Sequence, residues 1–327
     1  MNKELEIWQF AAARLKQNES VILLVVAQSS GSSPGRQGFK MIVAADELCG
    51  SIGGGVMEVR LVELAKLKIK NEELKIDSEI IEQVHRKNAP GASGMICSGK
   101  QTVIFFALNS SHLQDVRKII AVPENHQPHA RLRITNDELR IIEKPTKVGT
   151  QNIDFRFERA GENEFVYEES LGFKQKLFIV GGGHCALALS ELMSKMDFHI
   201  SLFDDRADLN TLAKNEFVHR KKIIESYERI DEFIPSGANV YVVVMTLGYK
   251  FDELVIRRLF DKDFKYFGVL GSRAKMKTLL RNLEKEGFDK EKLNKIRAPV
   301  GLKINSRTPE EIAVSIAAEI IAVKNSV

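Results

Sequence analysis

The residues best suited to chemistry in this chain are glycine runs, each followed by one functional side chain. Gly181-Gly182-Gly183-His184-Cys185-Ala186 fits G-x-G-x-x-A directly after the apolar run Leu177–Val180. Glycines there allow a tight turn and let backbone amides approach a pyrophosphate at a helix N-terminus. A second strand-like run ends at Asp204-Asp205. An acid about 20 residues past such a loop can accept hydrogen bonds from a ribose hydroxyl, and Asp204 fits that position best. The same loop also reads as the vacant first turn of a Rossmann-type domain. His184 could touch a ligand or move a proton, or simply stand exposed at a helix start. Cys185 would lie in the first helical turn, where a thiol's pKa tends to fall, but it also reads as a small buried residue. Gly271-Ser272-Arg273 opens another helix after another strand. Its amides and Arg273 would suit a phosphate; a plain cap with a solvated Arg reads equally well.

The first half carries two comparable features. Gly53-Gly54-Gly55 precedes a helical pattern and offers the same anion-binding logic without a second acid for a ribose. Glu58, about one turn in, could meet the N–H donors of a pterin edge, or merely favour the positive end of the helix. Ser32-Ser33-Pro34-Gly35-Arg36 places hydroxyls, a rigid turn and a cation after a buried strand, where open parallel sheets hold ligands. An ordinary polar loop is the alternative. Cys97, in Met95-Ile96-Cys97-Ser98-Gly99, reads either as a sulfur-handling thiol or as a small buried residue. No His/Cys/Asp spacing suggests a metal held by the protein. There is no G-x-S-x-G elbow and no G-K-[ST] phosphate loop.

These loops need elements to hold them. Periodicity predicts a helix over 4–17, a strand at Val21–Ala27 buried on both faces, and a strand at Lys40–Ala44. A helix follows from Val56 to about Lys70, then a strand at Gln101–Ala107. Residues 131–135 with 139–143, and 155–159 with 164–167, read as hairpins forming a short β-rich connector. Beyond residue 175, strands at 177–180, 199–203, 240–245 and 267–270 alternate with helices at 184–196, 251–261 and 273–286. That alternation implies a parallel sheet covered on both faces. Thr308-Pro309-Glu310-Glu311 is a capping box with proline at the first helical position. The expected fold class is α/β in two domains, 1–172 and 173–327, the second Rossmann-like.

Composition excludes several classes. The 327 residues are 44% hydrophobic and 28% charged, which argues against a mostly disordered chain. A net charge of +4 on this length does not mark a nucleic-acid binder. No stretch approaches the ~18 uninterrupted apolar residues of a membrane span, and the acidic N-terminus has no signal-peptide pattern. Three cysteines without C-x-x-C spacing suggest free thiols in a reducing cytoplasm.

Taken together, Gly31–Met41 and Gly50–Glu58 resemble the N-terminal signature of the xanthine dehydrogenase accessory protein family, XdhC/CoxI. The second half is similar too, through Val180–His184, Phe203–Arg206, Gly268–Arg273 and Ala298–Leu302 leading into Thr308–Ala313. The resemblance implies an N-terminal α/β domain joined to a C-terminal Rossmann domain, commonly as a homodimer. It implies a chaperone that binds the molybdenum cofactor (molybdopterin), shields it, and delivers its sulfurated form to xanthine dehydrogenase or a related molybdenum hydroxylase. A cysteine desulfurase would act upstream, and neither nucleic acid nor membrane is an expected partner. The family tends to show Cys-Gly-Gly where this chain has Cys97-Ser98-Gly99. The expected cofactor contacts are Ser33, Arg36, Gly53, Gly54, Gly55, Glu58 and Cys97 in the first domain. In the second they are Gly181, Gly183, His184, Asp204 and Arg273. The competing expectation is an NAD(P)-binding oxidoreductase, with His184 or Tyr249 as proton relay, or a redox-sensing module on the same Rossmann loop.

Overall fold

A computed structural model describes residues 3–71, 78–85, 99–122, 130–143, 154–161 and 164–326. The chain divides into two compact units, Lys3–Gly172 and a C-terminal unit from Phe173. Among the described residues no helix is long and apolar enough to cross a membrane.

The N-terminal unit runs α1 (Lys3–Lys16), β1 (Val21–Gly31), β2 (Lys40–Val43), β3 (Leu48–Gly50), α2 (Gly55–Lys70), β4 (Ser78–His85), β5 (Gly99–Leu108), α3 (Leu113–Ala121), β6 (Ala130–Ile134), β7 (Leu139–Glu143), β8 (Phe155–Arg159) and β9 (Phe165–Ser170). Its first sheet has the order β3-β2-β1-β5-β4, and every pairing in it is antiparallel. This corrects the expectation that an open parallel sheet places the Ser32–Arg36 loop. A continuous apolar run signals only that both faces are covered, and here they are. Val21, Leu23, Val25 and Ala27 pack with Trp8, Ala11 and Leu15 of α1. Ile22, Leu24 and Val26 pack with Leu61 and Ala65 of α2. The strand also outruns its apolar run: after a register shift between Val26 and Gln28 it pairs through Gly31, opposite Gly99.

The two hairpins assemble into a second antiparallel sheet, β7-β6-β9-β8. They are more than a connector. Leu132, Ile134, Phe165 and Tyr167 lie in the same core as Trp8 and Phe106. Lys40 of β2, 5% exposed, is 2.6 Å from the Glu169 carboxylate of β9, 2% exposed. Its ammonium also reaches Glu4 at 2.8 Å, and the Tyr167 hydroxyl donates to Glu169 at 2.7 Å. Burial pushes the Glu169 carboxyl up even against the pull of Lys40.

The C-terminal unit runs β10 (Gln175–Val180), α4 (His184–Met193), β11 (Phe198–Asp204), α5 (Asn210–Lys214), β12 (Arg220–Ile223), β13 (Gly237–Val244), α6 (Tyr249–Leu259), β14 (Phe264–Val269), α7 (Arg273–Lys285), α8 (Lys290–Lys295) and α9 (Pro309–Asn325). All five strands are parallel, in the order β12-β11-β10-β13-β14. One face packs Leu177, Ile179 and Val243 against Leu189 of α4 and Ile316 of α9. The other packs Phe178, Val242 and Val244 against Ile256 of α6 and Leu279 of α7. The expected α/β class with a Rossmann-like second half is observed, and Thr308 and Glu311 form the expected capping box. Strand order reverses between β10 and β13, so ligands of such sheets bind outside the carboxyl ends of those strands.

Candidate functional site

In the N-terminal unit, three stretches distant in sequence meet backbone to backbone. A Cβ on Gly35 would stand 2.1 Å from the Ile52 carbonyl, and one on Gly99 would stand 2.6 Å from the Ser33 amide nitrogen. A polar chain fastens them. The Ser33 hydroxyl donates to Gln101 Oε1 at 3.1 Å, and Gln101 Nε2 donates to the Ile52 carbonyl at 2.9 Å. Ser33 and Gln101 are 3% and 1% exposed, so these bonds are shielded from water. Gln101 carries no local signal of this role; in sequence it is one residue of a strand.

Gly53, Gly54 and Gly55 all take positive φ, at 126°, 78° and 72°, a region that only glycine enters freely. Glu58 braces the loop they form. Its Oε2 accepts from Ser51 Oγ at 2.7 Å, Ile52 N at 2.8 Å and Gly54 N at 2.9 Å. The carboxylate therefore acts chiefly on the protein's own backbone. A Cβ at Gly54 would meet nothing within 4 Å, so the loop presents open backbone there. Arg36 follows Gly35, is exposed, and has no carboxylate partner among the described residues. The result is a braced glycine loop and, next in sequence to Gly35, a cation with no carboxylate partner among the described residues, a combination of groups suited to an anion. Cys97 lies outside the described residues.

In the C-terminal unit the glycine loop stands at the carboxyl end of β10. Gly181 has φ 105°, and a Cβ there would stand 2.3 Å from the Met245 carbonyl. Gly182 donates its amide to Asp204 Oδ2 at 2.5 Å and accepts from Thr211 Oγ1 at 2.6 Å. Asp204 is fully buried. Its two oxygens also take the Arg206 guanidinium, Nε on Oδ1 at 2.9 Å and Nη2 on Oδ2 at 2.8 Å, and the Arg206 amide at 2.9 Å. Burial pushes this carboxyl up, but Arg206 and the two amides outweigh it and hold it below its ordinary value. The expectation of an open ribose acceptor is corrected: Asp204 braces the loop, as Glu58 does in the other unit. Asp205, whose Oδ1 accepts from the Tyr227 hydroxyl at 3.2 Å, is the more exposed acid there.

Gly183 caps α4 without a side-chain bond, and a Cβ there would meet nothing within 4 Å. His184 is exposed at the first helical position. Arg273 is exposed at the start of α7, which Ser272 caps by accepting from the Lys275 amide at 3.3 Å. Behind the neighbouring loop, buried Asp252 accepts from the Thr246 hydroxyl at 2.6 Å and lies 3.4 Å from Lys275 Nζ. Burial pushes Asp252 up, against the lowering effect of Thr246 and Lys275. Thr246 and Asp252 have no sequence motif of their own, and Arg206, though it closes the Phe203–Arg206 motif, is not singled out by it for a role; only the packed loops bring out their parts.

Two family models match this chain: an XdhC Rossmann domain over residues 177–320, and the XdhC and CoxI family over residues 14–75. The chain belongs to the XdhC and CoxI family. Among relatives of this XdhC/CoxI chain, a Bacillus subtilis protein named as a probable xanthine dehydrogenase component is 24% identical, with 96% of each chain covered. The uncharacterized protein YqeB of Escherichia coli is 23% identical over 98% of this chain, which spans only 47% of that protein's length. A crystal structure of a xanthine dehydrogenase from Bacillus halodurans shares the fold. Its TM-score is 0.72 at 19% identity, covering 99% of this chain and 96% of that one.

Proposed function

We propose that this XdhC/CoxI member is a non-catalytic carrier for the molybdenum cofactor, delivering it to xanthine dehydrogenase or a related molybdenum hydroxylase. A cysteine desulfurase upstream would supply the sulfur of the delivered form, and the carrier would work as a homodimer in the cytoplasm. The observation that carries this reading is the braced cradle of the N-terminal unit. Molybdopterin pairs a phosphate with a flat pterin. Arg36 and the open backbone at Gly54 suit the phosphate, and the glycines leave room for a ring to lie against the loop. Ser33, Gly53, Gly55 and Glu58 would hold that shape, and Cys97 remains a candidate for the cargo's sulfur. Gly181, Gly183, His184, Asp204 and Arg273 would form or brace a further anion-binding loop in the C-terminal unit. The same family membership, and the name of the Bacillus subtilis relative, support an accessory role toward xanthine dehydrogenase.

The second reading is an NAD(P)-binding oxidoreductase or redox-sensing module. The strand order and the uncapped Gly183 favour it. Against it, Gly182 and Asp204, two groups that dinucleotide sites rely on, already bond to each other. Binding of anaerobically released molybdenum cofactor to the purified chain, with NAD(H) in parallel, decides between them. Cofactor binding that falls on Arg36→Ala in folded protein supports the carrier. NAD(H) binding without cofactor affinity overturns it.

A further inference from the structure

The C-terminal unit carries a second concave feature, at the other end of its sheet from the glycine loop. A cleft of about 450 Å³ lies beside β14, the last strand in the sheet order, with further lining from α8 and from Val323 of α9. It meets β14 over residues 264–267, the amino end of that strand, whereas the glycine loop follows the carboxyl end of β10. Because β10, β13 and β14 run parallel, these ends lie on opposite sides of the sheet. The volume is that of a small-molecule pocket, about 300–1,000 Å³.

Its charge is one-sided. Lys262, Lys265, Lys292, Lys295 and Arg297 line it against one carboxylate, Asp263, in a chain whose whole net charge is +4. Two of the five cations are already engaged. Lys262 Nζ donates to the Asp231 carbonyl, and to the Ile234 carbonyl at 2.6 Å. Lys292 Nζ is 3.2 Å from the Asp261 carboxylate. Lys265, Lys295 and Arg297 are exposed and have no carboxylate partner among the described residues. Arg297 is anchored by its backbone. Its amide donates to the Phe267 carbonyl at 2.8 Å, and its carbonyl accepts from the Val269 amide at 2.9 Å. Like charges lining one cleft focus a positive potential into it and favour an anion there.

The rest of the wall is aromatic. Phe260, Phe264 and Phe267 are half-buried. Phe264 and Phe267 meet edge to face at 5.5 Å, and Lys292 Nζ stands 5.3 Å from the centre of the Phe260 ring. Asn294, exposed at the same cleft, offers an amide donor and acceptor.

We propose that this cleft binds a nucleoside diphosphate. One phosphate group carries about −1.5 to −2 at neutral pH, too little for three lone cations; a diphosphate comes close to balancing them. Half-buried rings suit a nucleobase, since every base has a face that stacks on an aromatic side chain, and Asn294 would meet its polar edge. Ligands of the Rossmann sheet bind at the carboxyl ends of its strands, so this site is separate from the glycine loop. It does not rest on the carrier reading, whose cradle lies in the N-terminal unit.

Calorimetric titration of the full chain with ADP tests the site. ADP is expected to bind, and adenosine and inorganic phosphate each at least tenfold more weakly, because each lacks half of the match. Lys265→Ala, Lys295→Ala and Arg297→Ala remove exposed side chains, so the melting temperature should hold while each weakens ADP binding about tenfold. No binding of ADP to wild type, or ADP affinity unchanged when all three cations are removed, would overturn the inference. So would binding that survives those changes and is lost on Gly183→Asp, which places ADP on the glycine loop. A polyglutamate peptide that binds as tightly as ADP would show a cleft reading charge alone, and would overturn the assignment to a nucleotide.

Discussion

A Cβ on Gly53 would stand 2.3 Å from the amide nitrogen of Gly35, so the backbones of these two residues touch with no space for a side chain. Gly53→Ala must therefore push two loops apart as well as strain a φ of 126°. Overpacking of this kind costs about 1–3 kcal/mol, and the left-handed backbone about 1–2 kcal/mol more. Gly54→Ala has the backbone strain alone, since its Cβ meets nothing. Urea unfolding should rank Gly53→Ala clearly below Gly54→Ala. Equal midpoints would show that the loops yield easily.

Gln101 joins two loops through one buried amide. Gln101→Leu keeps the side chain's bulk but strands the Ser33 hydroxyl and the Ile52 carbonyl without a partner. Each stranded buried group costs about 1–3 kcal/mol. A matching drop in unfolding free energy is expected, with faster amide exchange at Ile52 and Gly53. Stability within about 0.5 kcal/mol of wild type would mean that water replaces the amide.

Glu58 can act as a brace or as a ligand contact, and amide exchange separates the two. As a brace, Glu58→Ala should speed exchange at Ile52 and Gly54, the two amides its carboxylate accepts from. Loss of cofactor binding without any change in exchange would instead make Glu58 a direct contact.

Asp204 sets an acid limit on the second loop. Its carboxyl is held below the ordinary value in the folded chain. Such a group stabilises the fold above that ordinary value and loses the contribution as pH falls through the folded-state pKa. The brace should hold at neutral pH and fail in acid, below about pH 4. Wild type should melt above Asp204→Asn at neutral pH, and the two should converge as pH falls. A gap that persists in acid would rule out the ionised carboxylate as its source.

Much of the C-terminal unit was legible because strand, glycine loop and helix follow one another locally. The elements missed there are short or polar: β12 is Arg-Lys-Lys-Ile, and α5 and α8 are brief. The N-terminal sheet was harder. Three of its five strands, β1, β2 and β5, were legible and the short β3 and the polar β4 were not; direction is decided by partners far away in sequence, and a run apolar at every position looks the same in either kind of sheet. Ser78–His85 alternates charge with Ile-Ile and carried no clear strand period. At the sites, sequence placed the glycines and the two acids. What it hid was that Glu58 and Asp204 both point back at the protein's own amides. Hydrogen bonds between side chains and distant backbone leave no spacing to read.

The buried ion pair between Lys40 and Glu169 bears on where the chain can be cut. Strands on either side of it belong to different sheets but to one hydrophobic core. A fragment ending after α3 would keep the whole glycine cradle yet leave the Lys40 ammonium without Glu169 and the Trp8 face bare. Such a fragment should be insoluble, whereas one reaching Gly172 should fold alone and melt in a single transition. The binding loops and the hairpins far along the chain from them are thus inherited together, as one cooperative block.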